Sequence, residues 1–170
     1  SRFLDTEDAG NQTEVMRRVL PNYTKPIYTC ELDERVPALV EYPLEEVIKD
    51  QRCAYMNNTT AYALAFALWN EVGHIDLFGM DFSYTIPDDA DRKGDVLTSN
   101  SDDVNHFHKD YFGKGKTWKD PKLDRVLVNY ALARDMFAAD GREIVNATVG
   151  GNLHLFRRMD LAEAVASPKS

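Results

Sequence analysis

Asn57-Asn58-Thr59-Thr60, the apolar run Ala61 to Trp69, and His74-Ile75-Asp76-Leu77-Phe78-Gly79-Met80-Asp81-Phe82 decide the fold class of this chain. Side-chain oxygens of Asn and Thr accept the orphan N–H groups of a first helical turn. Ala, Leu, Phe and Trp, with no Gly or Pro among them, carry that helix from Thr59 to Val72. Ile75 to Phe78 is too short for a helix and apolar enough for a buried strand, and Gly79-Met80-Asp81 turns the chain at its end. A helix N-terminus thus meets an acidic residue just past the C-terminal end of a strand, which is where open α/β sheets bind ligands.

Outward from this stretch, strands and helices alternate. Glu14 to Leu20 reads as a helix closed by Pro21-Asn22, within a polar N-terminal segment, residues 1–24. Pro26 to Cys30 reads as a strand, and Pro43 to Ile48 as a helix with Pro at its first position and acids in its first turn. Cys53 to Met56 is a further short strand. Leu123 to Ala139 has helical spacing, with Val126, Tyr130, Leu132, Ala133, Met136 and Phe137 on one face and a stop at Asp140-Gly141. Ile144-Val145 leads a last strand, Asn146-Ala147-Thr148-Val149-Gly150-Gly151 is the turn at its end, and Asp160 to Val165 is a terminal helix. The alternation predicts an α/β protein, a Rossmann-like three-layer fold with a mostly parallel sheet, because parallel neighbours need crossover connections. Residues 85–121 lose periodicity and are expected to form a long loop or lid. The glycine-rich phosphate turn usual after a first strand is absent from the N-terminal part, so the chain also fits the C-terminal portion of a larger domain.

At 170 residues, 44% hydrophobic and 28% charged, the expectation is a single α/β domain over residues 1–170. The net charge of -8 argues against a nucleic-acid partner, whose phosphates demand a basic surface. Two cysteines without CxxC spacing imply neither a disulfide framework nor a zinc ribbon, and a cytoplasmic setting is expected. No run approaches the ~20 apolar residues of an integral membrane segment. The Asn-x-Thr triplets at Asn11, Asn22, Asn57, Asn58 and Asn146 read as caps and turns.

Five groups of residues can carry chemistry. Asn58, Thr59 and Thr60 either cap a helix or hold a phosphate at its positive end. Asp81 either stabilises its turn or orients a ribose or sugar hydroxyl, and Tyr84 either packs or donates to a leaving phosphate. His106 and His108 share a side if their segment is extended. Asp102, Asp103 and Asp110 lie near enough to orient an imidazole, so either histidine can serve as general base. The same His-x-His also suits a divalent ion such as Mg²⁺, but spacing fixes no third ligand and no metal site is assigned. Asn146, Thr148, Gly150 and Gly151, expected among the nucleotide- or phosphate-binding residues, form a turn whose glycines allow close approach to a ligand or to another strand. Lys109, Lys114, Lys116, Lys119, Lys122 and Arg125, interleaved with Tyr111, Phe112 and Trp118, read either as a solvated loop or as a cover over an anion.

Thr59-Thr60-Ala61-Tyr62-Ala63-Leu64-Ala65 through Ile75-Asp76-Leu77-Phe78-Gly79-Met80-Asp81-Phe82-Ser83-Tyr84, with Asn146 to Gly151, resembles the motility accessory factor and hydroxymethylpterin pyrophosphokinase-like family, related to the bacterial CMP-sialic-acid transferases. The resemblance covers roughly Cys53 to Phe156. It implies a glycosyltransferase that takes a CMP-nonulosonate type of nucleotide-sugar donor and transfers it with inversion to a glycan or protein acceptor. It also implies phosphate binding by Thr59 and Thr60, leaving-group assistance by Tyr84, and a histidine base matching His106 or His108. The pyrophosphokinase branch implies transfer of diphosphate from ATP instead. The family's N-terminal glycine- and asparagine-containing turn has no match here, which leaves a non-catalytic, degenerate transferase domain as a third expectation.

Overall fold

The computed structural model describes residues 11–51, 58–106, 109, 111 and 113–166; the expected strand Cys53 to Met56 and His108 lie outside them. The chain divides into two compact units, residues 1–47 and 48–170, where composition predicts one.

The first unit contains α1 (Asn11–Val19), a 3-10 turn Leu20–Asn22 imposed by Pro21, β1 (Ile27–Thr29) and β2 (Leu39–Glu41). β1 and β2 pair in parallel, Ile27 opposite Leu39. Their nine-residue link is tightened at Asp33, whose carboxylate accepts the Arg35 backbone N–H at 3.0 Å and both Nε and Nη2 of its guanidinium. Those bonds hold the Asp33 carboxyl well below the usual carboxylate range. Val36 and Tyr42 are buried here. α2 (Leu44–Gln51) runs across the division between the units.

The second unit begins at α3 (Thr59–Trp69). Asn58 is its N-cap, extended at φ -157° and ψ 167°, with Oδ1 accepting the Ala61 N–H at 2.8 Å. The far end closes with bonds from Glu71 to Leu68 and from Val72 to Ala67, which places Glu71 in the left-handed region at φ 58°. β3 (His74–Leu77) follows.

Residues 85–121, expected as a loop or lid, instead hold an antiparallel meander of β4 (Asp91–Lys93), β5 (Val96–Thr98) and β6 (Thr117–Lys119). Strands of three residues leave almost no period to read in a sequence. The hairpin turn Gly94-Asp95 has its glycine at φ 66° in the first loop position, as strand twist favours. Leu97 and Trp118 form the buried face of the meander.

α4 (Leu123–Ala139) then leads into β7 (Glu143–Asn146), β8 (Arg157–Arg158) and α5 (Leu161–Ala166). β3, β7 and β8 make a parallel sheet with β7 central and Ile75 opposite Ile144. One core joins this sheet to both long helices: Leu64 and Leu68 of α3, Val126, Tyr130 and Phe137 of α4, Leu77, Ile144, and Leu153 and Phe156 beyond β7. The alternate residues of β3 are polar, with His74 bonded to Asp76 at 2.8 Å, whereas β7 is buried on both faces from Ile144 onward and only Glu143 at its start is bonded outward, to Arg157 at 2.6 Å. α4 ends as α3 does, now with Gly141 at φ 70°, and Arg142 folds back to stack 5.0 Å over the Phe137 ring while donating to the Leu68 carbonyl. The class is α/β with a parallel sheet. Among the described residues no helix is long and apolar enough to cross a membrane.

Phe137 is fully buried at the seam of α4 and the sheet. Phe137→Ala is expected to lower unfolding free energy by about 3–5 kcal/mol in denaturant titrations. Val128→Ala on the exposed side of the same helix should change it by no more than about 0.5 kcal/mol. Equal effects from the two would contradict this placement of the core.

Candidate functional site

A cleft of about 580 Å³ opens at the C-terminal end of β3. Its floor is the turn Gly79–Phe82 together with Asn58 at the head of α3 and Tyr130 of α4. Its far wall carries Tyr84, Asn105, His106, Lys119, Asp120 and Lys122, all from the chain between β3 and α4.

The turn Gly79–Phe82 is shaped from behind. Gly79 takes φ 69° and Phe82 takes φ 54°, the latter a left-handed conformation that costs a residue with a Cβ roughly 1–2 kcal/mol. The segment after β7 holds it there: the Met80 N–H donates to Thr148 Oγ1 at 2.8 Å, Asn146 Nδ2 donates to the Leu153 carbonyl at 3.1 Å and to that of Met80 at 3.4 Å, and Asn152 N–H donates to the Asp81 carbonyl. Asn146 Oδ1 accepts from the Thr148 N–H at 3.0 Å. Asn146 and Thr148 are buried, with their polar atoms spent inside the protein, and neither lines the cleft. Gly151, at φ 79°, lies so close that an added Cβ would stand 2.3 Å from the Asp81 carbonyl oxygen. The close approach allowed by these glycines is therefore to another turn of the same protein. Gly150 keeps φ 72°, and its carbonyl and that of Thr148 accept from Arg158.

At the head of α3 the three polar residues separate. Asn58 lines the cleft and caps the helix, while its Nδ2 donates to the Tyr130 hydroxyl at 3.1 Å. Thr60 Oγ1 rests 3.7 Å from the Met80 sulfur, and Thr59 is exposed; neither lines the cleft. Tyr130 is 2% exposed, with its ring against Phe82 on one side and Phe156 on the other. In the sequence it is visible only as part of an apolar helix face.

On the wall, His106 Nδ1 lies 2.8 Å from Asp103 Oδ2, a carboxylate whose side chain is only 2% exposed. A carboxylate accepts, so Nδ1 donates to it, and in the neutral imidazole the lone pair lies on Nε2. The imidazole stacks on Tyr111 at 4.3 Å. Burial, with the charges of Asp103 and Asp120 adding to it, pushes the Tyr84 phenol up to about 12. A phenol is a hydrogen-bond donor throughout the neutral range in any case, and the shift extends that into the alkaline range. Asp81 stands at the cleft edge, its Oδ1 accepting from the Ser83 N–H at 3.2 Å. Asp120 is tied outward to Arg92 at 2.9 Å. The cleft thus gathers Asn58, Asp81, Tyr84 and His106 of the residues expected from the sequence.

Gly151→Ala is expected to cost more than about 2 kcal/mol, from the clash and from its left-handed backbone, while Val149→Ala at an 80% exposed neighbour should be near neutral. Unchanged thermal stability of the Gly151 variant would overturn the packed-turn account. Tyr84 ionises near 10 when unfolded and about 12 when folded, so the folded form holds its proton more tightly. Its contribution is complete below pH 10 and is lost as pH rises towards 12. Tyr84→Phe should flatten that alkaline limb in stability measurements; an identical limb would show that the phenol is not desolvated. Among known proteins, no family model, no curated protein and no solved structure matches this chain.

Proposed function

We propose that the second unit is a transferase domain of Rossmann-like three-layer type acting on a nucleotide-activated acidic sugar, with a CMP-nonulosonate as the donor class and a glycan or protein hydroxyl as acceptor. The observation that carries this reading is the meeting in one cleft of three parts: an imidazole oriented by a buried carboxylate, a phenol kept protonated, and the head of a helix at the C-terminal end of a parallel strand. The sequence resemblance around Thr59 to Tyr84 supports the same assignment.

In this reading His106 Nε2 takes the proton of the acceptor hydroxyl as its oxygen attacks the anomeric carbon. The bond from that carbon to the phosphate oxygen breaks, and its electron pair leaves with the nucleotide phosphate. The Tyr84 O–H stabilises the departing charge, with the positive end of the α3 dipole, headed by Asn58, facing the same cleft. Asp81 is placed to accept from a sugar or ribose hydroxyl. Single-step displacement inverts the anomeric centre. His108 remains the other candidate for base from the sequence.

Thermal-shift titration against CMP, CDP, UDP, GDP and ATP, each with and without Mg²⁺, tests the donor class, since a ligand of the native state raises the midpoint by mass action. Selective stabilisation by CMP without metal is expected. His106→Ala should keep that shift and lose transfer at least a hundredfold, because the base touches the acceptor and not the nucleotide. Stabilisation only by ATP with Mg²⁺ would replace this reading with pyrophosphoryl transfer. No shift with any nucleotide would refute a working donor site and leave the non-catalytic alternative.

A further inference from the structure

We propose that Asn105 is a positioning residue, whose side-chain amide clasps the backbone of Thr85 and so sets Tyr84 and His106 in one fixed relation across the cleft wall. The proposal rests on the reading of those two side chains as the working groups of the site.

Residues 83–87 belong to no helix or strand, so no ladder of backbone bonds fixes the direction of Tyr84. Asn105 supplies the fixing. Its Oδ1 accepts the Thr85 N–H at 2.7 Å, and its Nδ2 donates to the Thr85 carbonyl at 2.7 Å. The first bond orients the peptide plane joining Tyr84 to Thr85, and the second orients the plane that follows. A primary amide is the side-chain group that presents an acceptor and a donor side by side, as a neighbouring strand would. The partners also decide which way round it stands, because an N–H must face oxygen and a carbonyl must face nitrogen.

The other end of Asn105 is held with equal economy. One buried carboxylate, Asp103, uses Oδ1 to accept the Asn105 backbone N–H at 2.8 Å and Oδ2 to bind His106 Nδ1 at 2.8 Å. The Asp103 N–H in turn donates to the Lys109 carbonyl at 2.7 Å. Thr85, Asn105, Asp103 and His106 therefore form a continuous hydrogen-bonded chain, one residue from Tyr84 at its start and ending in the imidazole. Displacing the imidazole, or the backbone that carries Tyr84, requires breaking a bond in it. Asp103 also faces Tyr84 electrostatically, together with Asp120.

Asn105→Ala tests this, with Asn100→Ala as control. Asn100 bonds the Asp89 carbonyl and the Asp91 carboxylate from the same stretch of chain, but it does not line the cleft. The readouts are the ultraviolet titration of Tyr84, assigned by Tyr84→Phe, and the NMR titration of His106, assigned by His106→Gln. Neither needs a donor or an acceptor. Loss of the clasp should free Tyr84 into water and lower its midpoint from about 12 by at least one unit towards the ordinary 10, with the His106 ring resonances displaced. Asn100→Ala should lower the melting temperature without moving either titration. Wild-type titrations in Asn105→Ala, or equal shifts in both variants, would overturn the proposal. Absence of any transferase activity alongside shifted titrations would refute the proposed reaction and leave the clasp standing.

Discussion

The cleft exists because two turns at neighbouring strand ends are packed backbone to backbone. Gly79–Phe82 leaves β3, and the segment from Asn146 to Asn152 leaves β7, strands that lie side by side in parallel register. Thr148, Asn146 and Asn152 each bind the first turn, and Gly151 gives up its side chain so that the backbone of Asp81 can approach. This clamp offsets the left-handed strain at Phe82, whose ring meets Tyr130, and Tyr130 in turn fixes the amide of Asn58. Strand ends, cleft floor and the head of α3 are thus one connected object.

Against that floor, the wall works by contrast of environments. Asp103 is buried and bonded, and its negative charge favours a proton on each of two neighbours. It holds a proton on the near nitrogen of His106, so that the far one is basic, and it opposes ionisation of Tyr84. One carboxylate thereby acts on an imidazole and a phenol that share the same wall.

The frame was readable where periodicity is long. Leu123 to Ala139 is an apolar stripe over seventeen residues, and the structure gives the helix those same bounds. Asn58 was readable as a cap for a chemical reason, its short side-chain oxygen ahead of a run of helix formers. The meander was not, since three-residue strands carry no measurable alternation, although Gly94-Asp95 between Lys93 and Val96 was a hairpin signal in plain view. Asn146, Thr148, Gly150 and Gly151 read as a turn of close approach to a ligand or another strand, and the tertiary contact of Gly151 is with neither but with the turn at Asp81. Tyr130 and Asn105 escaped for a related reason. Their polar atoms act across 72 and 20 residues of chain, and no local pattern marks such partners.

The wall of the cleft is a single excursion of the chain, leaving after Phe82 and returning at Leu123. The clamp grips Met80 and Asp81, before that excursion begins. Frame and wall can therefore drift at different rates: the wall residues lie on an exchangeable cassette, whereas those that keep the cleft open are distributed over strands far apart in sequence. Related chains that handle different substrates would be expected to differ most between these two points in length and charge, and to agree where the two turns touch.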